Sequence, residues 1–509
     1  MLAPQAIISD AECEQGLRRL VYEAAFSNTT AALTTGVILT AFALHLGASN
    51  AVIGLLAALP FLSQLTQVPA IALIERLRQR KRIAVLSSAA GRTMLGLMAL
   101  LPFVPGVAIG GLVFATAILC IMGAIGGCAW NAWLRDLAPE DRMGSIFARR
   151  TVYATFTTII AGAGAALALE LTPPGSDARA WSFCALYAVG CAAGLISVGI
   201  VARIPEPQMP AAQSESAHLL TRLRTPLADR NFARLLRFLG SWQFAINLAT
   251  PFFTVYLVEQ LGYSMTIVMG LSIASQIANV VALRNWGALA DRFSNKSVLL
   301  VAAPAYILSI LGMIGASQIA APPWRLAWLA LLHLFMGGAV AGVTLATANI
   351  ALKLSPRGTA ASYLATSGVV TAAAAGSAPI LGGLFADFFS TRHFELLIRW
   401  TSPDEVHVLL PIHLTNWDFY FLLSGLLGFY ALHRLSLVRE TGEISRREMV
   451  DKVLFQTRSS IHNFSTVTGL RTLTEVPSAF LREAQVQTRF FRMQLSRGLR
   501  DKARRKSRR

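Results

Sequence analysis

The 509-residue chain is 54% hydrophobic and only 14% charged, against roughly 25% charged in an ordinary soluble domain, which excludes a cytosolic globular enzyme. Five cysteines, four of them (Cys120, Cys128, Cys184 and Cys191) inside apolar runs, exclude a disulfide scaffold. The formal charge of +18 is no nucleic-acid signature either: residues 439–509 hold 17 Lys and Arg against 7 acids, a net of +10, and the remainder is what charged cytoplasmic loops require.

A helix needs about 20 apolar residues to cross a bilayer, and such runs recur from Ala24 to Val438. The polar opening, with Asp10, Glu12 and Glu14, does not read as a cleaved leader, because the apolar run after it is itself long enough to span. Hydropathy predicts spans over residues 24–46, 51–74, 83–103, 107–134, 151–171 and 180–201. Residues 204–232 read as a cytoplasmic linker, since Pro205, Pro207, Pro210, Ser214, Ser216 and Pro226 suit a surface segment. Six more spans follow over 235–258, 265–285, 297–316, 325–352, 359–385 and 418–436. The expected fold is an all-α membrane protein of twelve transmembrane helices in two pseudo-symmetric six-helix bundles, residues 1–203 and 233–438, with a basic cytoplasmic tail at 439–509. One connection, residues 388–417, is long enough to hold structure of its own. Strand-forming residues at Phe394–Trp400 and Val406–Leu414 flank the turn Thr401–Glu405 and predict a β-hairpin, its second strand at an edge because of Pro411.

The halves keep a fixed offset, as a duplicated bundle should. Leu46-Gly47-Ala48-Ser49 faces Leu261-Gly262-Tyr263-Ser264 at 215, Gly54 faces Gly270 at 216, Glu75-Arg76 faces Asp291-Arg292 at 216, and Pro139 faces Pro356 at 217. Basic residues concentrate after the second span (Arg76, Arg78, Arg80, Lys81, Arg82) and the fourth (Arg135, Arg142, Arg149, Arg150). The opposite connections hold only Arg179, Arg325, Arg392 and Arg399, so both termini and the linker are expected on the cytoplasmic side of an inner (plasma) membrane.

Within the spans Arg92 is the outstanding charge, ten positions past Arg82. Inserting such a group costs about 2.5 kcal/mol or more, so it either meets an anionic group on a substrate or bonds a neighbouring helix. His333 is the histidine well inside a span, suited to a proton relay or to a packed hydrogen bond. No Asp or Glu is expected mid-span, because Glu23, Glu75, Glu170, Asp291 and Asp387 all fall at predicted ends, and coupling through a buried carboxylate loses support. Metal-ligand spacings, a P-loop and a nucleophile elbow are absent from the sequence, so no enzyme chemistry, cofactor or metal is expected.

The stretch Trp286-Gly287-Ala288-Leu289-Ala290-Asp291-Arg292-Phe293-Ser294-Asn295-Lys296 resembles the loop motif G-x-L-x-D-R-x-G-R-[KR] of the major facilitator superfamily, with Ser294 and Asn295 in place of Gly and Arg. The first-half copy is more eroded, with Ile71 and Arg78 at the glycine positions and Glu75 at the aspartate position, while Arg76 is kept. A carboxylate at a helix end can face a helix start, where free N–H groups and the dipole favour negative charge. The resemblance implies that such contacts hold a cytoplasmic gate, Asp291 against the fifth span near Arg149 and Arg150, and Glu75 against the eleventh near Thr359. Gly287 and Arg292 belong to the same gating motif. It also implies a cavity lined by the first and seventh helices, where Asn28 and Gln243 are equivalent, as are Thr35 and Thr250, with Asn247 beside them; Arg92 and His333 complete the expected cavity. Alternating-access movement of an unassigned small solute by a monomer follows. A sensor or receptor on the same fold, and a carrier of amphiphiles or lipids, are the rival readings; solute flux in proteoliposomes separates the first rival, and dependence on acyl-chain length the second.

In the tail, Phe480, Ala484, Phe491 and Leu495 fall at helical spacing among Arg482, Arg489, Arg492 and Arg497, a basic amphipathic pattern suited to anionic lipids of the inner leaflet, unless the tail is simply solvated. Truncation after Thr441 should leave the bundles able to insert and bind ligand while weakening binding to anionic vesicles. An isolated tail peptide that gains no helix on such vesicles would count against the amphipathic reading.

Overall fold

The computed structural model describes residues 4–5, 8–137, 143–209, 226–356, 360–401, 406–415 and 417–440. The predicted tail helices, residues 210–225 of the linker, Pro139 and Thr359 lie outside these. Helix α1 begins at Asp10, earlier than the apolar run, because Ser9 and Glu12 close a capping box that satisfies the first free N–H groups. It runs over Asp10–Thr34, breaks at Gly36, whose φ of 59° favours glycine, and resumes over Val37–His45. The expectation that Glu23 sits at a helix end is thereby corrected: it lies inside α1, roughly 20 Å from the first residue at 1.5 Å per residue.

Helix α2 covers Asn50–Leu62 and continues, through a 3₁₀ turn, as Gln67–Leu77. Then follow α3 (Arg80–Leu100), α4 (Ala108–Leu137), α5 (Met143–Glu170) and α6 (Asp177–Val201). In the second half α7 (Arg230–Ala249) is interrupted at Pro251, after which short 3₁₀, α and π turns carry the chain to Gln260. Helices α8 (Met265–Arg292), α9 (Asn295–Gln318), α10 (Pro322–Lys353), α11 (Ala360–Phe389) and α12 (Trp417–Ser436) complete the set. Ten spans among the described residues are long and apolar enough to cross a membrane. The other two, α7 and α12, have 20 regular residues each and carry Arg230, Arg234 and Arg237 or His433 and Arg434 near their ends. Strands β1 (His393–Thr401) and β2 (Val406–Thr415) pair antiparallel between α11 and α12, Leu397 opposite Pro411.

Each half repeats one packing plan: α1 on α5 and α6, α2 on α4, α3 on α4 and α6, matched by α7 on α11 and α12, α8 on α10, α9 on α10 and α12. A carboxylate just past the sixth helix of each half locks that plan. Glu206 accepts the Arg80 N–H at 2.8 Å and pairs with the Arg80 guanidinium, which also holds Asp136. Glu440 accepts the N–H groups of Asn295 at 3.3 Å and Lys296 at 2.7 Å and pairs with Lys353 at 2.9 Å. Glu440, within the expected tail of residues 439–509, is thus tied to the second bundle.

Both chain ends of the described core lie at one face, with these caps. At the opposite face the halves meet along α2 with α11 and α5 with α8. A Cβ on Gly54 would stand 2.1 Å from the Pro379 carbonyl oxygen, and one on Gly383 2.3 Å from that of Asn50, so only glycine permits this approach. The Asp387 carboxylate accepts the Asn50 and Ala51 N–H groups at 3.1 and 3.0 Å, and Glu170 accepts the Thr266 N–H at 3.4 Å. Donor and acceptor are related by the same offset, 217 between the acids and 216 between Asn50 and Thr266. At the terminal face, by contrast, Glu75, Arg76, Asp291 and Arg292 are exposed.

Asp387→Asn should loosen the closed face. Such a contact stabilises by roughly 0.3 to 1 kcal/mol, about 2 when partly buried, and about 1.4 kcal/mol is tenfold in population. Spin labels on Pro174→Cys and Ala321→Cys should therefore report a larger separated fraction in Asp387→Asn, by up to about tenfold. An unchanged distance distribution would show that the glycine packing alone holds this face.

Candidate functional site

Because the halves touch at one face and diverge toward the other, they enclose a central chamber of about 530 Å³. Four of the expected cavity residues line it: Thr35, Asn247, Thr250 and His333. The break at Pro251 turns α7 so that Thr250 reaches across to Tyr306, hydroxyl to hydroxyl at 3.0 Å. His333 is 6% exposed, and its Nδ1 is 2.8 Å from the Leu329 carbonyl oxygen. Thr35 donates to the Ala31 carbonyl and Asn247 to that of Gln243, at 2.7 and 2.8 Å. Gln276 and the apolar side chains of Phe61, Met98, Phe253 and Met336 also line it.

Arg92 lies elsewhere, in a side pocket of about 450 Å³ within the first bundle. This pocket shares Thr34, Thr35, Pro60, Leu119 and Cys120 with the chamber, so the two adjoin along that wall. Arg92 donates Nη1 to the Gly194 carbonyl at 2.6 Å and Nη2 to Ser27 Oγ at 3.1 Å. Facing the same space, Glu23 (5% exposed) holds the Arg150 Nη2 at 3.3 Å and accepts from Ser197 Oγ at 3.2 Å. The Arg150 Nε is buried with no acceptor among the described residues. Hydropathy missed Glu23 and Arg150 by assigning both to helix ends. The capping signature Ser9-x-x-Glu12 was the signal that could have placed Glu23 inside.

Two expected cavity residues stand apart. Asn28 turns back to the Ala24 carbonyl at 2.8 Å and is not among the residues lining these cavities. Gln243 lines a separate groove of about 360 Å³ between α2 and α11, together with Gln64 and Gln67. Of the gating residues, Glu75, Arg76, Asp291 and Arg292 remain exposed at the terminal face, and Gly287 has open space around it. Thr359, the expected partner of Glu75, and the Arg149 side chain lie outside the described residues.

Accessibility separates these placements. In a Cys120→Ser background, Thr35→Cys and Thr250→Cys should react with a small polar thiol reagent applied at the open face, whereas Asn28→Cys should react at least about tenfold more slowly, as a thiol outside the water-filled space. Equal rates at the three positions would mean that the chamber is wider than this arrangement gives.

The Major Facilitator Superfamily model matches residues 23–375. No curated protein matches the sequence significantly. Among solved structures, the nucleoside transporter NupG is similar at 15% identity and a TM-score of 0.59, covering 82% of this chain and 98% of that one. An inward-open xylose transporter, XylE from E. coli, aligns at 14% identity and a TM-score of 0.61, over 86% of this chain and 99% of its own. A POT family transporter in complex with 5-aminolevulinic acid aligns at 14% identity and a TM-score of 0.57, over 83% and 95%.

Proposed function

Because this multi-pass membrane protein belongs to the major facilitator superfamily, whose members move small solutes, we propose that it carries a small organic anion by alternating access, with Arg92 as the charge that receives the solute. The observation that carries the reading is the position of the Arg92 pocket against the central chamber: an intramembrane guanidinium stands behind a wall, Thr34, Thr35, Pro60, Leu119 and Cys120, that also faces the space between the halves. The two hydrogen bonds of Arg92 go to a carbonyl and a hydroxyl, which orient it without cancelling its charge. The chamber supplies neutral hydrogen-bonding groups, Thr250, Tyr306, His333 and Gln276, for the rest of the molecule.

The basic segments on the terminal face support a cytoplasmic side for it by the positive-inside rule, and on that reading the arrangement is a state open to the cytoplasm. Glu75 and Asp291, exposed here, are then the parted halves of a cytoplasmic gate, and Asp387 and Glu170 belong to the closed outer one. The mechanism follows as exchange of one set of helix-end contacts for the other while each bundle moves as a unit.

Arg92→Gln should fold and lose solute flux in proteoliposomes by about tenfold or more, the scale of one lost charge-assisted contact. Arg92→Lys should recover only part, since an ammonium cannot reproduce the planar fork. Wild-type flux in Arg92→Gln would overturn the anion reading.

A further inference from the structure

Among the described residues lining the side pocket, three are charged: Arg92, Arg150 and Glu23. Their sum is one positive charge in a pocket between membrane-spanning helices. Glu23 and Arg150 neutralise each other at 3.3 Å, whereas Arg92 has only neutral partners in its two hydrogen bonds. Glu23 also attracts Arg92 through space, so one carboxylate serves two cations and the described charges leave one positive charge for a solute to offset. A second negative charge would find Arg150 taken and would lie beside the Glu23 carboxylate, where like charges repel.

We infer that Glu23 restricts the solute to a single negative charge by occupying Arg150, which makes the favoured class an organic monoanion. The inference rests on the reading of Arg92 as the solute's counter-charge. The body of that solute is constrained as well, because Pro60, Leu119 and Cys120 form the wall shared with the chamber and, with Phe61, Met98 and Met336 beside them, present a largely apolar surface. Glu23 is on this view a specificity-determining residue that acts by repulsion and by denying a partner, as specific sites commonly do. Ser197, donating to Glu23 Oε1, keeps the carboxylate turned to its place beside Arg150.

The test uses the full chain in lipid nanodiscs and a panel of matched aliphatic and aromatic mono- and dicarboxylates, benzoate and terephthalate among them, with binding read as stabilisation against thermal unfolding. Wild-type protein should bind the monocarboxylates at least about tenfold more tightly than their dicarboxylate partners, one charge-pair contact apart. Glu23→Gln should release Arg150 and tighten dicarboxylates by about tenfold, removing or reversing the preference, and Glu23→Asp should keep it. Where Glu23→Gln does not fold, the double variant Glu23→Gln/Arg150→Gln keeps the net charge and removes the repulsion, and should narrow the preference for monocarboxylates without abolishing it, since no cation awaits a second carboxylate. Undiminished preference for monocarboxylates in either variant overturns the role of Glu23 while leaving the Arg92 reading intact, as does wild-type protein that binds both classes equally. Wild-type protein that binds neither class, together with unaltered flux in Arg92→Gln, overturns the anion reading itself.

Discussion

The first turn of a helix presents backbone N–H groups with no partner inside the helix, and in a membrane protein those groups have little water to turn to. Asp229 answers it locally at the start of α7, and among the described residues four carboxylates answer it from distant parts of the chain. Glu206 sits on the start of α3 and Glu440 on that of α9, each within its own half. Asp387 and Glu170 reach instead across the divide, to the starts of α2 and α8. The same contact therefore does two jobs by virtue of where the acid comes from. Within a half it ties the sixth helix to the third and makes the bundle one body; between halves it is a joint that can part without disturbing either body.

This distinction explains why the cavity takes the shape it does. With joints made at one face, the bundles diverge toward the other, and the space between them is a chamber at mid-depth. Gly54 and Gly383 bring the α2 and α11 backbones into direct contact at the joined face, which a Cβ on either glycine would prevent. The interruption of α7 at Pro251 and of α1 at Gly36 falls at the chamber wall, where irregular backbone is tolerated because it faces a cavity and not lipid.

Much of this was legible in the sequence, because apolar length, loop charge and a fixed offset survive divergence even where residue identity does not. Twelve helices in two repeated halves and a strand pair before the last helix follow from patterns of that kind. Helix starts were harder. A run of hydropathy marks where lipid begins, not where hydrogen bonding begins, so α1 starts at Asp10 through its capping box while the apolar run starts at Ala24. That shift of fourteen residues hid Glu23. Local backbone was harder still: Asn28 and Thr35 both donate to the carbonyl four residues back, yet only Thr35, on the extended residue that ends α1 before Gly36, lines the chamber, a break that spacing does not carry.

The duplication itself supplies a control on the pocket's charges. At the offset that relates the halves, Arg92 corresponds to Ile307 or Leu308, Glu23 to Phe238 or Leu239, and Arg150 to Thr366 or Ser367. Phe238 and Ile307 are fully buried, and Thr366 nearly so, so the second bundle packs these places with apolar and hydroxyl side chains and keeps the same helix arrangement. The fold does not need charge there. Since each ionised group inside a span costs energy that an apolar residue would not, its retention in one copy alone points to work that only one half performs. The charged side chains thus lie in the first bundle, whereas the second lines the chamber with Thr250, Tyr306 and His333. A solute held at the junction touches both bodies at once, and so biases the equilibrium between their arrangements only as far as it binds one arrangement better than the other.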